Sequence, residues 1–312
     1  IDDPAGSCHG LAPLFGDQTM HDLGLKPLIP TLHRLAECPV YDDRTDRLLF
    51  CNILDGELHA VDLKSGEEHI WRFPEIVASY GLCESGRFVV ALKDSVILFD
   101  PTTGERTTLA TVGADLPTVR LNDGKVGPDG AFWVGGINNA PDKAAIAVLY
   151  RIDAAGTVEV KVDGIKASNG LAWTADGRTM FHTDTRGVWI DRWTFDPETG
   201  AISDRTRIAQ PDDAIGRPDG GATDVYGYYW SAGISAGKLN RWSAEGQLVE
   251  SFEIPASISM PCFGGADGRT LFVTSNRDGR TAEELERYPL TGSVFVGRSF
   301  VAGVPAWRFR GA

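Results

Sequence analysis

Basic charge is scarce in this chain: 30 Lys and Arg stand against 43 Asp and Glu, a formal net charge of −13 over 312 residues. A phosphate backbone needs a basic face to meet it, so no nucleic-acid partner is expected. Apolar runs long enough to span a bilayer are lacking, as is a leader-like charged and then apolar segment, so no membrane partner is expected. Histidine is sparse, six in all, and His9, His21 and His33 are irregularly spaced, which suits solvated or locally bonded rings better than a metal cluster. The five cysteines, Cys8, Cys38, Cys51, Cys83 and Cys262, form no CxxC pair. Reduced, buried thiols in a cytoplasmic protein are the expectation. Helix-period stretches are few and brief, Thr281 to Arg287 being one. No glycine pair opens a strand-to-helix unit, which excludes a dinucleotide fingerprint, and no serine nucleophile elbow is expected.

The 36 glycines and 17 prolines suit many short strands and turns. In RLNDGKVGPDGAFWVGG, Arg120 to Gly136, Pro128-Asp129-Gly130 reads as a tight turn and Ala131 to Val134 as a buried strand. Asn122 precedes the turn glycine, Gly130, by eight positions, and the same count separates Asn169 from Gly177, Asp219 from Gly227 and Met260 from Gly268. Looser units place Glu37 nine before Asp46 and Tyr80 six before Gly86. The strands after the turns centre near Phe50, Phe88, Phe132, Phe181, Tyr229 and Phe272. A period of roughly 40 to 50 residues points to propeller blades of four strands each. The predicted architecture is all-β, a six-bladed propeller over residues 31–312, with an arm over residues 1–30 packed on it. Gly135 to Ala147 reads as an insertion that could form a lid, and Gly303 to Arg310 as a closing strand.

Innermost strands line a propeller's channel, so residues in one register converge at one end of the axis. Glu37, Asn122, Asn169 and Asp219 are predicted to face one another there, with apolar or hydroxyl positions from units two and six. Two carboxylates and two amides are a hard oxygen set, suited to Ca²⁺, Mg²⁺ or Mn²⁺. Arg120, two residues before Asn122, shares its strand face and is a candidate substrate clamp or salt bridge. Taken singly, Asn169-Gly170 and Asp219-Gly220 are also common turn dipeptides; the shared register argues for the site. Asp129, Asp153, Asp184, Asp196 and Asp224 read as turn or strand-end residues, and His182 as a core histidine.

RLNDGKVGPDGAFWVGG, SNGLAWTADGRTMFHTDT, PDGGATDVYGYYWSAG and AECPVYDDRTDRLLF together resemble the senescence marker protein/gluconolactonase/luciferin-regenerating-enzyme family, from about residue 35 onward. The resemblance implies a six-bladed lactonase with one divalent cation, Ca²⁺ foremost and Mg²⁺, Mn²⁺, Zn²⁺ or Fe²⁺ as alternatives. Its ligands would be Glu37, Asn169 and Asp219, with Arg120 and Asn122 on the substrate and Asp219 as a candidate base. A small sugar lactone is the implied partner, and the chain is expected to be a monomer or weak dimer. The alternatives are an organophosphate or aryl-ester hydrolase and a non-catalytic calcium- or ligand-binding propeller. Cys38 stands where many members carry glycine, Tyr41 where tryptophan is usual, and the lid begins Gly136-Ile137-Asn138-Asn139 in place of Thr-Met and acidic residues.

Overall fold

The computed structural model describes residues 22–113 and 115–311. Its strands form six four-stranded antiparallel sheets, the six blades expected from the repeat. The innermost strands, in chain order, are Ala36–Asp42, Ser79–Leu82, Val119–Val126, Ser168–Trp173, Pro218–Thr223 and Ile258–Gly264. Each lies against the inner strands of both neighbouring blades, closing the ring. The strands predicted after the turns follow directly, Arg47–Asn52 and Thr179–Asp184 among them.

Alternation along these strands sends apolar side chains to both faces of each sheet, because each blade is covered on two sides. The consequence is six apolar clusters, one at each junction between neighbouring blades. Trp133 and Trp230, fully buried, serve two of them, and each large side chain of this kind contributes about 1.5–3 kcal/mol on burial.

The turn aspartates also clamp their blades. Asp129 accepts from Trp133 Nε1 at 3.2 Å and pairs with Arg151 at 2.7 Å. Two blades later Asp224 accepts from Trp230 Nε1 at 3.0 Å and pairs with Arg241 at 2.8 Å. Asp153 and Asp196 cap turns through backbone amides, as predicted for turn residues.

Three expectations need correction. The sixth blade is completed by Lys26–Pro27, which pairs with Phe295–Arg298, so the closing strand comes from the N-terminal side. The tail instead crosses the turns at the end of the inner strands away from Asn122: Val304 donates to Thr223 O, Phe309 to Leu82 O and Arg310 to Gly130 O. Residues 1–21 of the expected arm, with His9, His21 and Cys8, lie outside the described residues. His33 is not solvated; it is buried edge-on against Phe50 and His59. Cys38, Cys51, Cys83 and Cys262 are free thiols, the first three buried. The one described α-helix is Ala282–Arg287, capped by Thr281 and Glu284, and no helix among the described residues is long and apolar enough to cross a membrane.

Candidate functional site

The inner strands do not run straight past the channel mouth. Pairing with the next strand slips between Glu37 and Val40, between Leu121 and Gly124, between Asn169 and Ala172, and between Pro218 and Gly221. A bulge re-aims side chains, and these four bulges fall on the four residues singled out by register. Asn122-Asp123-Gly124 sits inside the strand Val119–Val126. Two bulges require left-handed backbone: Gly170 at φ 66° and Cys38 at φ 50°, a region that glycine enters freely and other residues rarely. Asn169-Gly170 and Asp219-Gly220 are thus strand bulges and not the turns that their dipeptides suggest.

The bulged segments open into a cavity of about 430 Å³ whose walls include Glu37, Arg120, Asn122, Asp123, Asn169 and Asp219. All five residues selected from sequence are brought together there. Asn122 Nδ2 donates to Asn169 Oδ1 at 3.0 Å, and Asn169 Nδ2 to Thr185 Oγ1 at 2.7 Å. Thr185 Oγ1 in turn donates to Asp219 Oδ1 at 3.1 Å. Arg120 NH1 donates to Asn122 Oδ1 at 2.9 Å, as their shared strand face predicted. Tyr80 and Met260, the matching positions of units two and six, do not line the cavity. Tyr80 joins the core between blades one and two, and Met260 packs under Gly220; Ala78 lines the cavity for blade two.

The electrostatics mark this as a place where negative charge is crowded. Burial, with Asp219 and Asp123 nearby, holds the Glu37 carboxyl well above its ordinary range. Burial pushes Asp219 up to about 7, against the pull of the Thr185 hydrogen bond and of Arg217 and Arg280. Asp123 is raised by burial too, countered by Lys125, whose Nζ crosses the channel to Gly221 O at 2.8 Å. Burial and the neighbouring Arg186 lower Arg120 to about 10.

Among the described residues no three His, Cys, Asp or Glu side chains cluster as metal ligands. The set here is two carboxylates and an amide oxygen, all hard donors. Asn169 Oδ1 keeps a second lone pair beyond the one taken by Asn122. Crowded carboxylates raised by one another fit a divalent cation, which neutralises what burial makes costly.

Sequence reasoning missed Asp123, Thr185, Arg186, Arg217, Asn276, Asp278 and Arg280, all on the cavity wall. Arg217 stands two before Asp219, so strand alternation could have found it; Asp123 lies in the bulge beside Asn122, and the others come from segments between strands that carry no register. His182 is a buried core histidine, held near 3 by burial and bonded through Nε2 to Ser168 Oγ at 2.8 Å. Asp184, beyond capping a turn, gathers the amides of Lys166, Ala167 and Gly187 beside the cavity. The chain does contain a Gly-x-Ser-x-Gly string, Gly233 to Gly237, contrary to expectation. It forms a hairpin turn between Tyr229–Gly233 and Lys238–Trp242, and Ser235 Oγ accepts from Arg217 N at 2.9 Å. It is not the strand-to-helix elbow of a serine hydrolase.

The insertion is shorter than the sequence suggested, since Gly135 to Asn138 belong to the strand Phe132–Asn138. The remaining loop overhangs the cavity through Asn139, whose neighbours Ala140 and Pro141 line a second cavity of about 680 Å³. Arg120 stands between the two.

Comparison with known proteins matches residues 35–277 to a family described as SMP-30/Gluconolactonase/LRE-like region. A 6-deoxy-6-sulfogluconolactonase of Pseudomonas putida is 37% identical over 281 residues, covering 89% of this chain and 95% of that protein. Regucalcin of Gallus gallus is 30% identical over 286 residues, covering 89% and 96%. Among solved structures, a calcium-binding protein, regucalcin, from Agrobacterium tumefaciens superposes with TM-score 0.85 at 27% identity, covering 91% of this chain and 96% of that one. The chain belongs to the SMP-30/gluconolactonase/LRE-like family.

Proposed function

We propose that the chain is a sugar lactonase, a carboxylic-ester hydrolase that opens an aldonolactone, with one divalent cation held by Glu37, Asn169 and Asp219. The observation that carries this reading is the crowded carboxylate floor beside Arg120 and Asn122 in a cavity of about 430 Å³. Family membership, the relative named as a sulfogluconolactonase and the relative titled a calcium-binding protein support it. A bound cation supplies Lewis-acid polarisation of the lactone carbonyl and charge to offset the developing oxyanion.

The protein's own groups do the rest. NH1 of Arg120 is committed to Leu121 O and Asn122 Oδ1. Nε and NH2 remain for substrate hydroxyls. Asn122, anchored on Ser168 O and Asn169 Oδ1, fixes the place of that guanidinium. Asp219, kept ionised by the cation that it would hold, is the candidate base. It takes a proton from water as the water oxygen bonds to the carbonyl carbon. The bond from that carbon to the ring oxygen then breaks, and the proton passes to the released hydroxyl.

The test is proton release on a panel of γ- and δ-aldonolactones, with chelator and with metals added back singly. Hydrolysis that chelator stops and a divalent cation restores is the expected result. No hydrolysis across the panel by cation-loaded protein would leave a binding module in place of an enzyme.

A further inference from the structure

Four arginines surround the cavity mouth: Arg120, Arg186, Arg217 and Arg280. In a chain of net charge −13, such a concentration of cations at one mouth is unexpected. They are also weakly matched. Among the described residues the nearest carboxylate partner of any of the four is Glu284, 3.6 Å from Arg280 and half exposed. Asp278, on the same wall, is taken by Arg34 at 3.0 Å. Arg186 spends its guanidinium on Asn138 O and on Asn139 Oδ1 at 3.4 Å, both neutral acceptors at the base of the overhanging loop. Arg280 Nε is buried with no hydrogen-bond partner among the described residues, and a buried donor left unmade is costly unless a ligand completes it.

Like charge sets these groups against one another: Arg186 opposes Arg120, and Arg217 opposes Arg186. The carboxylate floor does not account for the excess once it is neutralised. Four carboxylates, Glu37, Asp123, Asp219 and Asp278, share the cavity with four guanidiniums, so a divalent cation leaves positive charge in surplus. A neutral lactone has nothing to offer it.

The geometry points to an anion-binding subsite made by Arg186, Arg217 and Arg280, which takes an anionic substituent on the lactone. This rests on the lactonase reading and names its substrate class: lactones carrying a sulfonate, a phosphate ester or a carboxylate. Arg120 stays with the ring, next to Asn122, and the other three receive the anionic group. Arg186 bonds the loop at Asn138 and Asn139 as well, so the subsite and the overhanging loop share one side chain.

The test compares kcat/KM for pairs of δ-lactones that differ only in the terminal group, hydroxymethyl against sulfonate, phosphate or carboxylate, in the cation-loaded wild type and in Arg217→Gln, Arg280→Gln and Arg280→Lys. Charge-assisted hydrogen bonds are about twice as strong as neutral ones, so the wild type is expected to favour at least one anionic lactone by roughly tenfold or more. The anionic-to-neutral ratio falls toward one in Arg217→Gln and Arg280→Gln, and Arg280→Lys recovers part of it. The anion that shows the largest ratio identifies the substituent. A ratio near one in the wild type, or a ratio unmoved in both glutamine variants, overturns the subsite while leaving the lactonase reading intact if the neutral lactone is hydrolysed. If no lactone is hydrolysed, that reading fails, and the subsite is judged by methanesulfonate and inorganic phosphate. Thermal stabilisation of the wild type that Arg217→Gln and Arg280→Gln lose upholds it, and no difference overturns it.

Discussion

Removing the cation should make the fold pH-sensitive in a direction fixed by Asp219. Its carboxyl is pushed from an ordinary 3.8 to about 7, first by burial. At about 1.4 kcal/mol for each tenfold change in proton affinity, ionising it inside the fold costs about 4 kcal/mol. Because the folded value lies above the unfolded one, stability is whole below pH 4 and is lost as pH rises through 7. Glu37, raised by burial and by Asp219 itself, acts in the same direction. A cation held by these carboxylates offsets the cost, so the unfolding free energy of calcium-loaded protein minus that of chelated protein should widen from pH 5 to pH 8 by a few kcal/mol. Urea unfolding followed by the fluorescence of the eight tryptophans measures this gap. In Asp219→Asn the gap should close at both pH values, since the amide neither ionises nor supplies charge. A gap that is equal at pH 5 and pH 8, or that survives in Asp219→Asn, refutes the reasoning.

Three other perturbations have defined outcomes. Arg120→Ala should lower kcat/KM on aldonolactones by about 10- to 100-fold, the effect of losing charge-assisted hydrogen bonds to substrate, with calcium affinity measured by calorimetry little changed. Gly170→Ala would put a Cβ 2.3 Å from the Tyr229 hydroxyl and 2.7 Å from Thr183, at φ 66°; a loss of more than about 2 kcal/mol in urea unfolding is expected, with weakened cation binding because Asn169 shares the bulge. Arg241→Ala should cost about 3–5 kcal/mol by the same assay, since it leaves Asp224 fully buried without its partner, while the Asp219 site, on another part of the blade, keeps its cation affinity.

The blades were legible in the sequence because a propeller repeats one grammar: a polar residue, a turn glycine and an apolar strand at a constant spacing. That spacing found Asn122, Asn169 and Asp219 together, with Glu37 in a looser unit, and the bulges explain why it works, since each of these four residues occupies the same irregularity in its inner strand. The rule failed at Tyr80, six before its turn glycine, and at Met260, eight before its own, both of which turn into packing. It also could not reach Arg186 and Arg280, which sit in turns between strands, where no period fixes direction. Closure was misassigned for a related reason. Lys26–Pro27 is too short to show alternation, whereas the tail looked like a strand but spends its backbone hydrogen bonds one or two at a time on four different blades.

The central claim is that one cation on Glu37, Asn169 and Asp219 serves lactone hydrolysis. The direct measurement is a parallel titration of metal-stripped protein with calcium, following heat of binding and initial rate on an aldonolactone in the same samples. The expected result is one equivalent per chain, with rate and occupancy rising together, and neither signal in Asp219→Ala. Undiminished turnover by stripped protein, or full turnover by Asp219→Ala, would contradict the account.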